Sequence, residues 1–133
     1  MSQVHSQYAL DLTFKAASDL SALQYFPVKA GATAGTCDVV SGTGNDVVLG
    51  ILQNKPTANQ EAVVRIFGPS KAAVNGNTDV AVRDWLEAGA TASGALVGGV
   101  QDQDNVVGFA LEAQTVNAND VVEIFVLPGT ASL

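Results

Sequence analysis

One histidine, His5, and one cysteine, Cys37, limit the chemistry open to this 133-residue chain. A Ser-His-Asp or Cys-His site would have to use His5, because a base must stand within hydrogen-bond reach of the proton it removes. His5 lies in a segment that reads as an arm, which cannot hold a base in place. Cys37 falls in a strand-like stretch, where a buried structural thiol is the expectation. With one His and one Cys, a zinc site would need unusual carboxylate ligation. Carboxylate pairs remain as hydrolytic candidates, Asp102 with Asp104 and Asp84 with Glu87. Asp102-Gln103-Asp104-Asn105 opens like a calcium loop, but the downstream glycine and glutamate are missing at the proper spacing. Both pairs fit solvated turns better. No phosphate-binding glycine loop ending in Lys-Ser or Lys-Thr occurs, and no dinucleotide fingerprint follows a strand. The expectation is a protein that is not an enzyme, with no cofactor and no metal.

The elements that would position any site are written twice. Ala30-Gly31-Ala32-Thr33-Ala34 returns as Ala88-Gly89-Ala90-Thr91-Ala92, and the spacing then holds without a gap. Between 30–67 and 88–125 there are 15 identities, ending with Val63, Val64, Ile66 and Phe67 against Val121, Val122, Ile124 and Phe125. The shared positions are apolar, glycine or turn residues, so the repeat encodes a scaffold and no recurring reactive group.

Strand signals dominate. Residues 47–52, 63–67, 106–111 and 121–125 are short, β-branched and bounded by turn formers. Leu10, Leu12 and Phe14 alternate with Asp11, Thr13 and Lys15, the period of a half-buried strand. Further strands are expected at 23–28, 36–40, 70–74 and 94–97. Residues 80–86 and 16–23 could each make one helical turn, without the apolar stripe a stable helix needs. Gly50 and Gly108 sit inside strand patterns at equivalent places, which marks a bulge or the close approach of another backbone. The fold class expected is all-β: a small β-barrel or β-sandwich with a pseudo-twofold repeat and an N-terminal arm. Residues 1–23 would form the arm, 24–127 one domain of two repeats, and 128–133 a tail.

Composition bounds the partners. A hydrophobic content of 47% with 14% charged residues argues against disorder. No apolar run approaches a membrane span, so no membrane partner is expected. No basic region followed by an apolar stretch opens the chain, so no signal peptide is expected. The net charge of −7 lies entirely after residue 83, where seven acids meet no Lys or Arg. Nucleic acid is excluded as an expected partner, because phosphates demand a basic footprint. The acidic half could aid solubility or dock on a basic protein surface.

Several residues are candidates for contacts with a partner or a sister subunit. Tyr8, Leu10, Leu12 and Phe14 could pair with their own sheet or add a strand to a neighbour. Trp85, the lone tryptophan, is either core or an interface anchor. Lys29 aligns with Glu87, and Arg65 with Glu123, so equivalent positions carry opposite charge. Copy one of one subunit could then meet copy two of the next in a closed ring.

Several segments taken in order resemble a known family. These are Asp19-Leu20-Ser21-Ala22-Leu23-Gln24-Tyr25-Phe26-Pro27-Val28-Lys29, then Val48 through Pro56, Glu61 through Gly68, Ser70-Lys71-Ala72, Gly108 through Ala113, and Asp120 through Ile124. Over roughly 19–127 the chain resembles a family of small tailed-bacteriophage proteins, identified in part as capsid decoration or cement proteins. Leu49 to Pro56 is the most specific stretch. The resemblance implies a β-rich protein that binds the major capsid protein on the outer surface of a phage head. Such a protein is made in the host cytoplasm, reinforces the shell, and often forms a homotrimer. It carries over no catalytic residues. The alternative is a carbohydrate- or host-surface-binding module displayed on the virion. Such modules usually expose aromatics at a rim, and the sequence shows no aromatic cluster beyond Tyr25-Phe26.

Overall fold

The computed structural model describes residues 9–41, 46–75, 79–88, 95–98, 105–114 and 120–130. Among them there are nine strands and no helix: β1 Leu10–Ala16, β2 Pro27–Ala30, β3 Thr36–Val39, β4 Val48–Leu52, β5 Glu61–Val74, β6 Trp85–Ala88, β7 Leu96–Val97, β8 Asn105–Ala110 and β9 Asp120–Thr130. The all-β expectation holds, and the form is a barrel rather than a sandwich.

The strands run in the order β1-β3-β2-β4-β5-β7-β6-β8-β9, and β5 pairs additionally with β1 and β9. Two closed rings of five strands result, with β5 common to both. Its first part, Glu61–Phe67, runs antiparallel to β1. From Gly68 onward it runs antiparallel to β9. The handover falls at Gly68-Pro69. Gly68 has φ +108°, a left-handed value that glycine adopts without a Cβ clash. Closure also removes free sheet edges, which would otherwise invite pairing with other chains.

Each ring is filled by the inward positions of its own strands. Ala16, Val28, Cys37, Leu52, Ala62 and Val64 supply one residue or more from each strand of the first, with Leu20 completing the cluster. Ala72, Val74, Leu86, Ala88, Leu96, Val107, Ala110, Val122, Ile124 and Val126 fill the second. Val40, Val48 and Ile51 belong to the first ring but pack into the second cluster, as does half-buried Tyr25. The two barrels therefore share a joint as well as a strand. Ser70, wholly buried there, accepts a hydrogen bond from Gln53 Nε2 at 2.9 Å and donates one to the Lys71 carbonyl at 2.7 Å. That pairing offsets the cost of burying a hydroxyl.

Several sequence expectations are corrected. Residues 10–16 are not part of an arm, since β1 pairs with β3 on one side and β5 on the other. Residues 1–8, including Tyr8 and His5, lie outside the described residues, as do Asp102 and Asp104. Pro128, Gly129 and Thr130 belong to β9 and are not a tail. The strands expected at 63–67 and 70–74 are one continuous strand, and the one expected from 23 begins at Pro27. Trp85 and Leu86, the end of the 80–86 stretch that could make a helical turn, instead open strand β6; Leu86 and Ala88 face the core with period two.

The two rings are built on similar strand pairings. β1 pairs with β3 through Ala16↔Cys37, and β5 pairs with β7 through Val74↔Leu96. Residues 10–16 thus hold the place that 68–74 hold in the second ring, although no residue is identical between them. The turn before β2 matches as well. Tyr25 and Arg83, at φ 71° and 79°, each donate a 2.7 Å hydrogen bond, to the carbonyls of Leu52 and Ala110. The correspondence slips by one residue in the third strand, where Ala30 pairs with Cys37 but Ala88 with Leu96, and by two in the final strand. Ile51 pairs with Arg65, whereas Phe109 pairs with Phe125. Arg65 therefore matches Phe125, and Glu123 matches Val63. A slip of two residues keeps each side chain of that strand on its face of the sheet, so the apolar pattern there still aligned.

Candidate interaction surface

Outward positions of the second barrel and of the adjoining end of the first bring together four aromatic rings that lie far apart in sequence. Phe67 ends the first part of β5, Phe125 sits on β9, Phe109 on β8 and Trp85 on β6. The register places Phe109 opposite both Phe125 and Trp85. Trp85 meets Phe109 edge-on at 5.5 Å between centroids, and Phe109 stacks on Phe125 at 5.4 Å with 13° between planes. Phe125 meets Phe67 edge-on at 5.2 Å. Leu10 of β1 stands opposite Phe67 and continues the row onto the first barrel. Phe67 is 44% exposed, Leu10 52% and Trp85 37%, so the row lies on the surface and outside both cores.

Alternation explains the placement. Val64 and Val122, Ile124 and Val126 point inward, so Phe67 and Phe125 fall on the other face. Sequence reasoning missed Phe67, Phe109 and Phe125. For Phe67 and Phe125 the signal was present in their opposite parity to buried neighbours; for Phe109 it was not, since Val107 shares its parity and is buried. What the sequence could not supply was the strand order that makes them adjacent.

Among the other candidates, Leu12 on β1 is exposed and Phe14 packs against the first core cluster. Lys29 forms an ion pair with Asp46 at 3.3 Å. Burial works to raise the Asp46 carboxyl. Hydrogen bonds from the Ser41 hydroxyl and backbone N–H, with the Lys29 ammonium, outweigh it and hold the group below the usual carboxylate range. Lys29 and Glu87 do occupy equivalent places, since Pro27↔Ile51 in one ring corresponds to Trp85↔Phe109 in the other.

Arg65 is engaged within the chain, and Glu123 is buried. The Arg65 guanidinium donates to both carboxylate oxygens of Asp11, at 2.8 and 3.1 Å, and to the Pro69 carbonyl at 2.9 Å. It ties β1 to β5 beside the handover. Glu123 is 5% exposed, and its backbone N–H donates to Glu112 Oε1 at 2.7 Å. The pairing of Arg65 with Glu123 between subunits therefore loses both its premise of equivalence and its available groups.

Charge is divided unevenly along the chain. Residues 1–67 carry four bases and five acids, and residues 68–133 carry two bases and eight acids. Asp84 and Glu87 flank Trp85 on the acidic side. Cys37 lies inside the first barrel, where desolvation, then the neighbouring Asp38 charge, pushes its thiol up. A shallow apolar groove at the barrel joint is lined by Val47, Val48, Asn105, Val106, Pro128 and Gly129. Among the described residues no group of three His, Cys, Asp or Glu could hold a metal ion.

No family model matches the chain, and no curated protein matches it in sequence. Its fold is similar to that of the head fiber gp8.5 N base in bacteriophage phi29, known from a crystal structure. The TM-score is 0.61 at 15% sequence identity, over 94% of this chain and 99% of that one. The correspondence thus spans both barrels, and at this identity it is a correspondence of fold.

Proposed function

We propose, from a fold held in common with the base of a phage head fiber, that this chain is a structural protein of a bacteriophage virion. In the finer form of the proposal it binds the major capsid protein on the outer surface of the head, as a decoration or cement protein, and assembles as a homotrimer. The near-complete coverage of both chains carries the reading. Supporting it are two closed barrels with filled interiors and an exposed apolar row suited to protein contact. A role without catalysis is part of the same proposal. Reinforcement requires each copy to contact neighbouring capsid subunits, so that separating them also breaks those contacts.

The experiment is co-sedimentation of purified protein with empty heads of the phage that encodes it, followed by a heat-disruption series. Bound protein and a raised disruption temperature are expected, with a trimer mass by light scattering. Failure to bind heads at micromolar concentration refutes the proposal.

The alternative of a carbohydrate-binding module gains one feature, the exposed aromatic row. Its geometry favours protein contact instead. A sugar platform presents ring faces to solvent, whereas Phe109 and Phe125 turn their faces to each other.

A further inference from the structure

The proposed function leaves the shell-facing side of the molecule undefined. Resting on that function, we infer that the row Leu10, Phe67, Phe125, Phe109 and Trp85 is the docking surface, and that its partner is a protein surface offering arginine or lysine beside apolar side chains. The row is a continuous strip drawn from five strands, and neither barrel core uses it. Its length crosses the boundary between the barrels, so a partner seated on it contacts both.

Charge complementarity selects the occupant. The strip runs into the barrel whose described residues include two bases, Lys71 and Arg83, against six acids. Asp84 and Glu87 bracket Trp85 in sequence, and Glu87 shares its side of β6. An arginine from the partner can lie on the exposed indole and meet a carboxylate beside it, combining cation–π and charge-assisted contacts. Tryptophan and arginine are among the residues most enriched at interface hot spots. A second copy of this chain suits the surface poorly, since acidic barrel would face acidic barrel. Nucleic acid is repelled for the same reason.

The test titrates empty heads of the encoding phage with wild-type protein, Trp85→Ala, Phe67→Ala, Glu87→Gln and the control Val39→Ser. Val39 is an exposed apolar residue on β3 of the first barrel, 39% exposed. Circular dichroism melts confirm folding of each variant. Trp85→Ala and Phe67→Ala are each expected to weaken binding by about tenfold or more, while Val39→Ser binds like wild type. Raising NaCl from about 50 to about 500 mM is expected to weaken wild-type binding, and to weaken Glu87→Gln less. If both aromatic variants fold and bind like wild type, the surface is wrong and shell binding stands. If wild type itself does not bind heads, both readings fall. Unchanged head binding combined with Trp85-dependent attachment to host polysaccharide also overturns the surface, in favour of a glycan.

Discussion

Replacing Gly50 or Gly108 with alanine tests the barrel geometry at its tightest points. A Cβ on Gly50 would stand 2.0 Å from the Arg65 carbonyl oxygen, and one on Gly108 would stand 2.0 Å from that of Phe125. Both obstacles are backbone on the neighbouring strand, so no side chain can turn aside. Ordinary contact begins near 3.4 Å, which requires the strands to part by about 1.4 Å. At Gly50 the parting falls beside Ile51↔Arg65 and Leu52↔Val64, the pairs that join β4 to β5. Overpacking of this kind costs roughly 1–3 kcal/mol. Each ladder hydrogen bond lost adds about 1 kcal/mol. A total of roughly 3–5 kcal/mol is a large share of the 5–15 kcal/mol typical of a folded protein. The melting temperature should fall by about 10–20 °C. Gly129→Ala is the matched control, because its Cβ meets nothing within 4 Å. Thermal melts followed by circular dichroism decide the matter. If Gly50→Ala and Gly108→Ala melt within about 3 °C of Gly129→Ala, the close approach is not real.

Arg65→Lys should lower stability by about 1–3 kcal/mol in urea melts, since lysine cannot span both Asp11 oxygens and the Pro69 carbonyl; an unchanged midpoint refutes the tie. Asp46 has a folded value below its unfolded one, so it adds stability above about pH 4. That contribution is lost as pH falls through the lower folded value. Asp46→Asn should therefore melt lower than wild type at pH 6, with the difference closing toward pH 2; a gap constant with pH counts against the assignment. Cys37 is wholly buried with a raised thiol, so Ellman's reagent should react with it only in denaturant. Rapid labelling of native protein would show that the first barrel opens readily.

The legible part of the fold was local. Val48–Leu52, Asn105–Ala110 and the core of β9 announced themselves through β-branched runs between turns, and Gly50 and Gly108 through their misfit to a strand interior. β6 was not legible, because four residues after a polar turn carry too little period to separate strand from helix. The aromatic surface was half legible: parity assigns Phe67 and Phe125 to the outer face, yet nothing local says that β8 and β6 lie beside them. Likeness between the rings was legible around Ala30 and Gly50, where identical residues hold equivalent places in Ala88 and Gly108. It was hidden in β1 and its counterpart, where backbone pairing is the same and every side chain differs.

By itself the sequence determined an all-β chain with two similar apolar scaffolds, an acidic second half, and little material for catalysis. Those properties follow from side-chain type and short-range alternation, which do not depend on neighbours in space. Only the tertiary structure decided that β5 serves two barrels, that Arg65 closes on Asp11, and that the last strand is shifted by two residues. It also decided that four scattered aromatics form one strip. Each of these depends on which strands lie side by side and in what register. That is settled by closing the rings and burying both cores together, a condition no single segment of the chain contains.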